Sequence, residues 1–164
     1  RERFMGKTLT KFRNGWAGKV SRSIDNVIES FRNVSLGDIG FGVPVFWDST
    51  NKGIIPYDSA TCTMDNFVGF TVNIGDKSPE NYSEDAGKFT TKDPVEVITR
   101  GCVIVDIGNY TAEGASVYIK KSDGTLTSSA GEAGTTVQIT NAITRTARDS
   151  NHMIEIVLKN RNFM

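Results

Sequence analysis

From Ile39 onward, short apolar and β-branched runs alternate with clusters of Gly, Asp and Asn, a texture that predicts β-strands joined by turns. The runs are Ile39 to Trp47, Ile54 to Tyr57, Phe67 to Val72, Val95 to Thr99, Cys102 to Ile107, Ser116 to Ile119, Thr136 to Ile143 and His152 to Leu158. In the last of them Ile154, Ile156 and Leu158 fall on one face, the pattern of a half-buried closing strand. Two hairpins are predicted. Arg100-Gly101 separates two apolar runs and offers a Gly for a tight turn, and Ser122-Asp123-Gly124 carries the Asp-Gly signal. Gly37 to Gly42 reads as a turn leading into a strand. The expected fold is mostly β: a compact antiparallel β-sandwich or barrel over residues 36–164.

Residues 1–35 have a different texture. Basic residues alternate with large apolar ones, and Gly6, Gly15 and Gly18 interrupt any local helix. This segment is expected to be an extended arm that becomes ordered when it lies on something else. Between Gly75 and Asp93 the chain is acidic, amide-rich and poor in branched apolar residues, so a long exposed loop is expected there.

Overall charge is zero, from 19 basic and 19 acidic residues, so nothing global drives the chain toward nucleic acid or a membrane surface. The distribution is uneven: residues 1–33 hold eight Lys or Arg against three Asp or Glu, net +5, and the remainder carries −5. The 16 Gly suit a turn-rich chain, since each costs about 1 kcal/mol inside a helix. Cys62 and Cys102 are too few for a disulfide scaffold and fit no metal spacing. The first residues lack the apolar stretch of a signal peptide, so assembly in a cytoplasm, with both thiols reduced, is expected. The Asn33, Asn81 and Asn109 sequons then read as chance in an Asn- and Thr-rich chain.

Catalytic chemistry lacks its parts. His152 is the lone histidine, and a zinc site or relay needs convergent partners, so it reads as a solvated strand-end residue. The glycine-rich stretch at Gly37 matches neither a dinucleotide fingerprint nor a P-loop. Asp76, Glu80, Glu84 and Asp85 lie in a polar loop, where acids are solvated rather than poised. No cofactor, metal or enzymatic activity is expected.

The arm is the one constellation with binding chemistry. Phe4, Phe12 and Trp16 are candidate anchors, with Lys7, Lys11, Arg13, Lys19 and Arg22 as charge partners. Aromatic and cationic residues in this mixture suit an acidic, pocketed protein surface. Nucleic acid could use the same residues, but the acidic remainder of the chain would repel phosphate. Folding of the arm back onto that acidic remainder is the third reading.

The order of segments resembles the head decoration, or cement, proteins of tailed bacteriophages. The resemblance runs through Val20 to Asp25, Gly42-Val43-Pro44-Val45-Phe46-Trp47, Phe67 to Val72, Asp93 to Gly101 and Gly114 to Ile119 before Asp123-Gly124. It implies a structural virion protein on the outside of a phage head, assembled in the host cytoplasm, that stabilises the shell by bridging major capsid protein subunits. It also implies self-association as trimers or related oligomers, a homotrimer being the expected form; no membrane partner is expected, and the acidic remainder of the chain disfavours nucleic acid. The competing expectation is a carbohydrate- or receptor-binding β module of a virion fibre, with Tyr57, Tyr82 and Tyr110 as a sugar platform.

Overall fold

The computed structural model describes residues 14–74, 88–109 and 111–162. Eleven strands follow one another: β1 (Val20–Arg32), β2 (Ile39–Gly40), β3 (Pro44–Asp48), β4 (Gly53–Pro56), β5 (Phe67–Thr71), β6 (Lys88–Phe89), β7 (Pro94–Asp106), β8 (Ser116–Lys120), β9 (Leu126–Thr127), β10 (Thr136–Thr144) and β11 (Met153–Leu158). A 3₁₀ turn, Met64–Asn66, precedes β5.

Nine strands make one antiparallel sheet in the order β4-β3-β5-β7-β11-β10-β8-β9, with β1 also on β7; β2 and β6 form a separate pair. The hub is β7, a 13-residue strand. Its first half pairs β5 through Val97 and Ile98, and its second half pairs β11 from Gly101 to Asp106. Along its length β1 runs antiparallel, from Arg32 opposite Pro94 to Val20 opposite Val103.

Apolar residues fill both faces, which is why β5 reads Phe-Val-Gly-Phe-Thr without a solvent-facing position. Phe67 and Phe70 join the larger core with Phe46, Val103, Val105, Ile119, Ile154 and Ile156, while Val68 joins a smaller one with Val45, Ile54, Val95, Val97 and Phe89. Edge-on rings knit the larger core, Phe46 to Phe67 at 5.5 Å and Phe67 to Phe70 at 5.8 Å. Side chains alternate faces along a strand, so adjacent residues such as Val45 and Phe46 serve different cores.

The β content and antiparallel pairing match the sequence expectation, and of its two architectures the sandwich-like one fits. Among the described residues no ladder closes the sheet into a barrel; the end of β1 touches β4 through the single bridge Asn33 to Ile54. The Asp123-Gly124 hairpin is present, with Tyr118 opposite Thr127 and Ile119 opposite Leu126.

The Arg100-Gly101 hairpin is not: both predicted runs belong to the continuous strand β7. Gly101 has φ 122°, and an added Cβ would run into the Asn26 side chain where β1 bulges against it. Gly therefore serves a strand irregularity here, a use that looks the same in sequence as a turn. The run from Ile39 to Trp47 is likewise broken by a turn at Phe41-Gly42 into β2 and β3. Val20–Arg32, part of the stretch read as an arm, is strand β1. Most of the expected acidic loop, residues 75–87, lies outside the described residues, and Lys88–Phe89 forms β6.

Candidate functional site

The chain enters the sheet through a turn at Trp16-Ala17-Gly18-Lys19, closed by Lys19 N–H donating to Trp16 C=O at 3.2 Å. Gly18 has φ 80°, the conformation a type II turn demands at its third position, and a Cβ there would lie 2.6 Å from Phe41 Cβ. Backbone bonds pin the turn on two sides. Gly18 N–H donates to Ile104 C=O at 2.8 Å, Ile104 N–H to Lys19 C=O at 2.9 Å, and Asn73 N–H to Gly18 C=O at 2.9 Å. One step earlier, Asn14 donates its backbone N–H to Asp149 Oδ2 at 2.9 Å and its side-chain amide to Met153 C=O at 2.8 Å.

What this anchored turn displays is an indole. Trp16 is 60% exposed, and Lys19 Nζ sits 4.9 Å from the centre of its ring. The backbone of its turn is held by the sheet while its side chain faces solvent.

Arg22 lies within β1, and its Nε donates to Glu155 Oε1 at 2.7 Å. The neighbouring carboxylate raises the guanidinium pKa, first through that hydrogen bond and then through its charge. Phe4, Lys7, Lys11, Phe12 and Arg13, the other arm residues singled out in the sequence, lie outside the described residues. The fold thus brings Trp16 and Lys19 together and engages Arg22 with Glu155.

The candidate sugar platform is not assembled by the described residues. Tyr57 packs edge-on against Phe46 at 5.6 Å, and burial raises its hydroxyl pKa, while Tyr82 and Tyr110 fall outside the described residues. His152 is exposed in the turn before β11, and no group of three or more metal-ligating side chains occurs among the described residues.

The family model for phage structural cement proteins, described as Structural cement protein (E217 gp24/Pam3 gp6), matches residues 6–159. The chain belongs to the phage cement protein family. Its match begins inside the arm and ends after β11, so the turn at Trp16 and the whole sheet fall within the family's extent. A chain from the capsid of Myoviridae phage XM1 has the same fold, with a TM-score of 0.63 over 96% of this chain and 98% of that one, at 20% identity. Among curated proteins none matches the chain. The cement protein is therefore a structural component of a phage capsid, associated with its shell proteins.

One surface of the cement protein was missed by sequence reasoning. The turn after β1 carries Leu36, fully exposed at 104% of its reference area, on a loop braced by a buried side chain. The Asn33 amide donates to Gly37, Phe89 and Thr90 carbonyls at 3.1, 3.2 and 3.1 Å, and its oxygen accepts Ser35 N–H at 3.0 Å. The Ser35 hydroxyl lies 2.7 Å from the same oxygen. A signal is present in the sequence: Asn two residues before Ser fits an Asx turn as well as a chance sequon.

Proposed function

We propose that this cement protein works without catalysis, as an oligomer on the outer surface of the head that bridges neighbouring major capsid protein subunits. It assembles in the host cytoplasm and grips the shell by its N-terminal arm. Phe4, Phe12 and Trp16 fill pockets, and Lys7, Lys11, Arg13 and Lys19 meet acidic groups of the shell, while Arg22 is already engaged by Glu155 of the same chain.

The observation that carries this reading is the exposed Trp16 indole on a turn whose backbone is bonded to Ile104 and Asn73. A side chain so placed loses little freedom on docking, so more of its burial appears as affinity. A bound copy favours the mature lattice by its differential affinity for that lattice over separated capsomers. When an oligomer carries several arms, each contact after the first forms at an effective concentration set by the tether, so modest single contacts suffice. A homotrimer satisfies this requirement.

The test is occupancy of purified heads by the Phe12→Ala, Trp16→Ala double variant. It is expected to fall off the heads while melting at the wild-type temperature. Full occupancy by that variant removes the arm from the account, and turnover of a substrate by the purified protein removes the non-catalytic reading.

A further inference from the structure

Leu36 and its surroundings have a counterpart elsewhere on the same chain. Beside the leucine lies a shallow depression of about 280 Å³, lined in part by Arg32 and Lys92 and by no acid among the described residues. Both cations are exposed. The knob is thus an apolar tip beside two cations, with the exposed Asp38 two residues on facing Lys88 at 3.9 Å, and the Asn33 bonds hold it in one shape.

A groove of about 480 Å³ opens beyond the other end of β2. Its apolar floor includes Phe41, Val43, Pro44 and Leu126, and its charged members are Asp106 and Asp123. Both carboxylates are exposed, and Phe41 and Val43 are half-buried. The groove is the negative of the knob: apolar centre, acidic rim.

We infer that the Leu36 knob of one copy docks into the Phe41–Leu126 groove of a second copy, with Arg32 and Lys92 facing Asp106 and Asp123. Knob and groove are different patches, so the contact is heterologous and repeats from copy to copy until a ring closes. Leu36 precedes β2 and Phe41 follows it, so one short strand carries both halves of the contact. The occupant is a second copy rather than a coat subunit because the complementary charge and apolar surface are both present on this chain. The inference rests on the oligomeric part of the proposed function and specifies which surfaces build the oligomer.

Sedimentation equilibrium of the full chain tests it, with head occupancy measured in parallel. Leu36→Asp is expected to weaken self-association about tenfold or more, and because the side chain is fully exposed its melt matches wild type at dilutions where both are monomeric. Lys92→Asp, a residue type that tolerates the φ of 71° at this position, and Asp106→Lys are each expected to weaken assembly, and the two combined in one chain restore it.

Wild-type-like assembly of Leu36→Asp overturns the inference, as does a double variant no better than its parents. A wild-type monomer that still coats heads also overturns it but leaves the cement reading standing; a wild-type oligomer with no affinity for heads does the reverse. Loss of head binding by Leu36→Asp at unchanged oligomer mass assigns the knob to a coat subunit and overturns it too.

Discussion

Arg22 Nε donates to Glu155 Oε1 at 2.7 Å, so a cation at the start of β1 is tied to a buried carboxylate in β11, across the strand β7 that both pair with. Glu155 is 5% exposed. Removing the guanidinium strands its charge in a partly desolvated site, which is costly even where the intact pair contributes little. Arg22→Ala is therefore expected to lower the melting temperature, and Arg22→Ala with Glu155→Gln to recover part of the loss. Thermal unfolding by circular dichroism measures both.

Asn33 spends its whole side chain on bracing the loop that carries Leu36, and it is fully buried. Asn33→Ala leaves three carbonyls and one N–H without that partner. A destabilisation on the order of 2–3 kcal/mol is expected from urea unfolding. Amide exchange of Ser35 is expected to speed up before global unfolding, marking local loosening of the knob.

Gly18 sets the turn that carries the proposed anchor Trp16. At φ 80° and with Phe41 Cβ in the way, an alanine must shift the turn that presents Trp16. Gly18→Ala is expected to cost about 1–3 kcal/mol and to reduce head occupancy, whereas Ala17→Gly leaves the turn geometry in place. Unfolding and occupancy measured on the same preparations separate the two variants.

The two free thiols give a sign for alkaline behaviour. Cys62 and Cys102 are buried, and desolvation raises both pKa values above the ordinary thiol value. As pH climbs through that ordinary value the unfolded chain releases protons that the native one retains, so stability falls with rising pH there and is intact below it. Asp48 and Asp123 act in the opposite range. Hydrogen bonds from Asn51 and Thr50 to one, and from Thr125 to the other, lower their pKa values. Their contribution is present at neutral pH and fades as pH drops through the carboxylate range. Urea midpoints across pH check both slopes, and a thiol reagent is expected to label the native protein slowly and the unfolded one at two sites.

Periodicity found most strands because burial imposes it directly: Phe67 to Thr71, Ser116 to Lys120 and Met153 to Leu158 each sit within a residue or so of the predicted runs. It failed at Arg100-Gly101, where local chemistry is the same for a turn and for a bulge. It also passed over β1, whose Val20–Arg32 residues mix charge with apolar positions. That strand is stabilised by β7, some seventy residues away in the chain, and no local pattern records such a partner.

By itself, then, the order of residues determined the β character, the Asp123-Gly124 hairpin and the family resemblance, since each depends on neighbours or on segment order along the chain. The tertiary structure decided that Trp16 faces solvent, that Arg22 meets Glu155, that Asn33 braces Leu36 and that an acidic groove forms from Phe41, Asp106 and Leu126. The Arg22–Glu155 pair, the Asn33 bonds to Phe89 and Thr90 and the groove join residues remote in sequence, and only the packing of the strands brings them within reach.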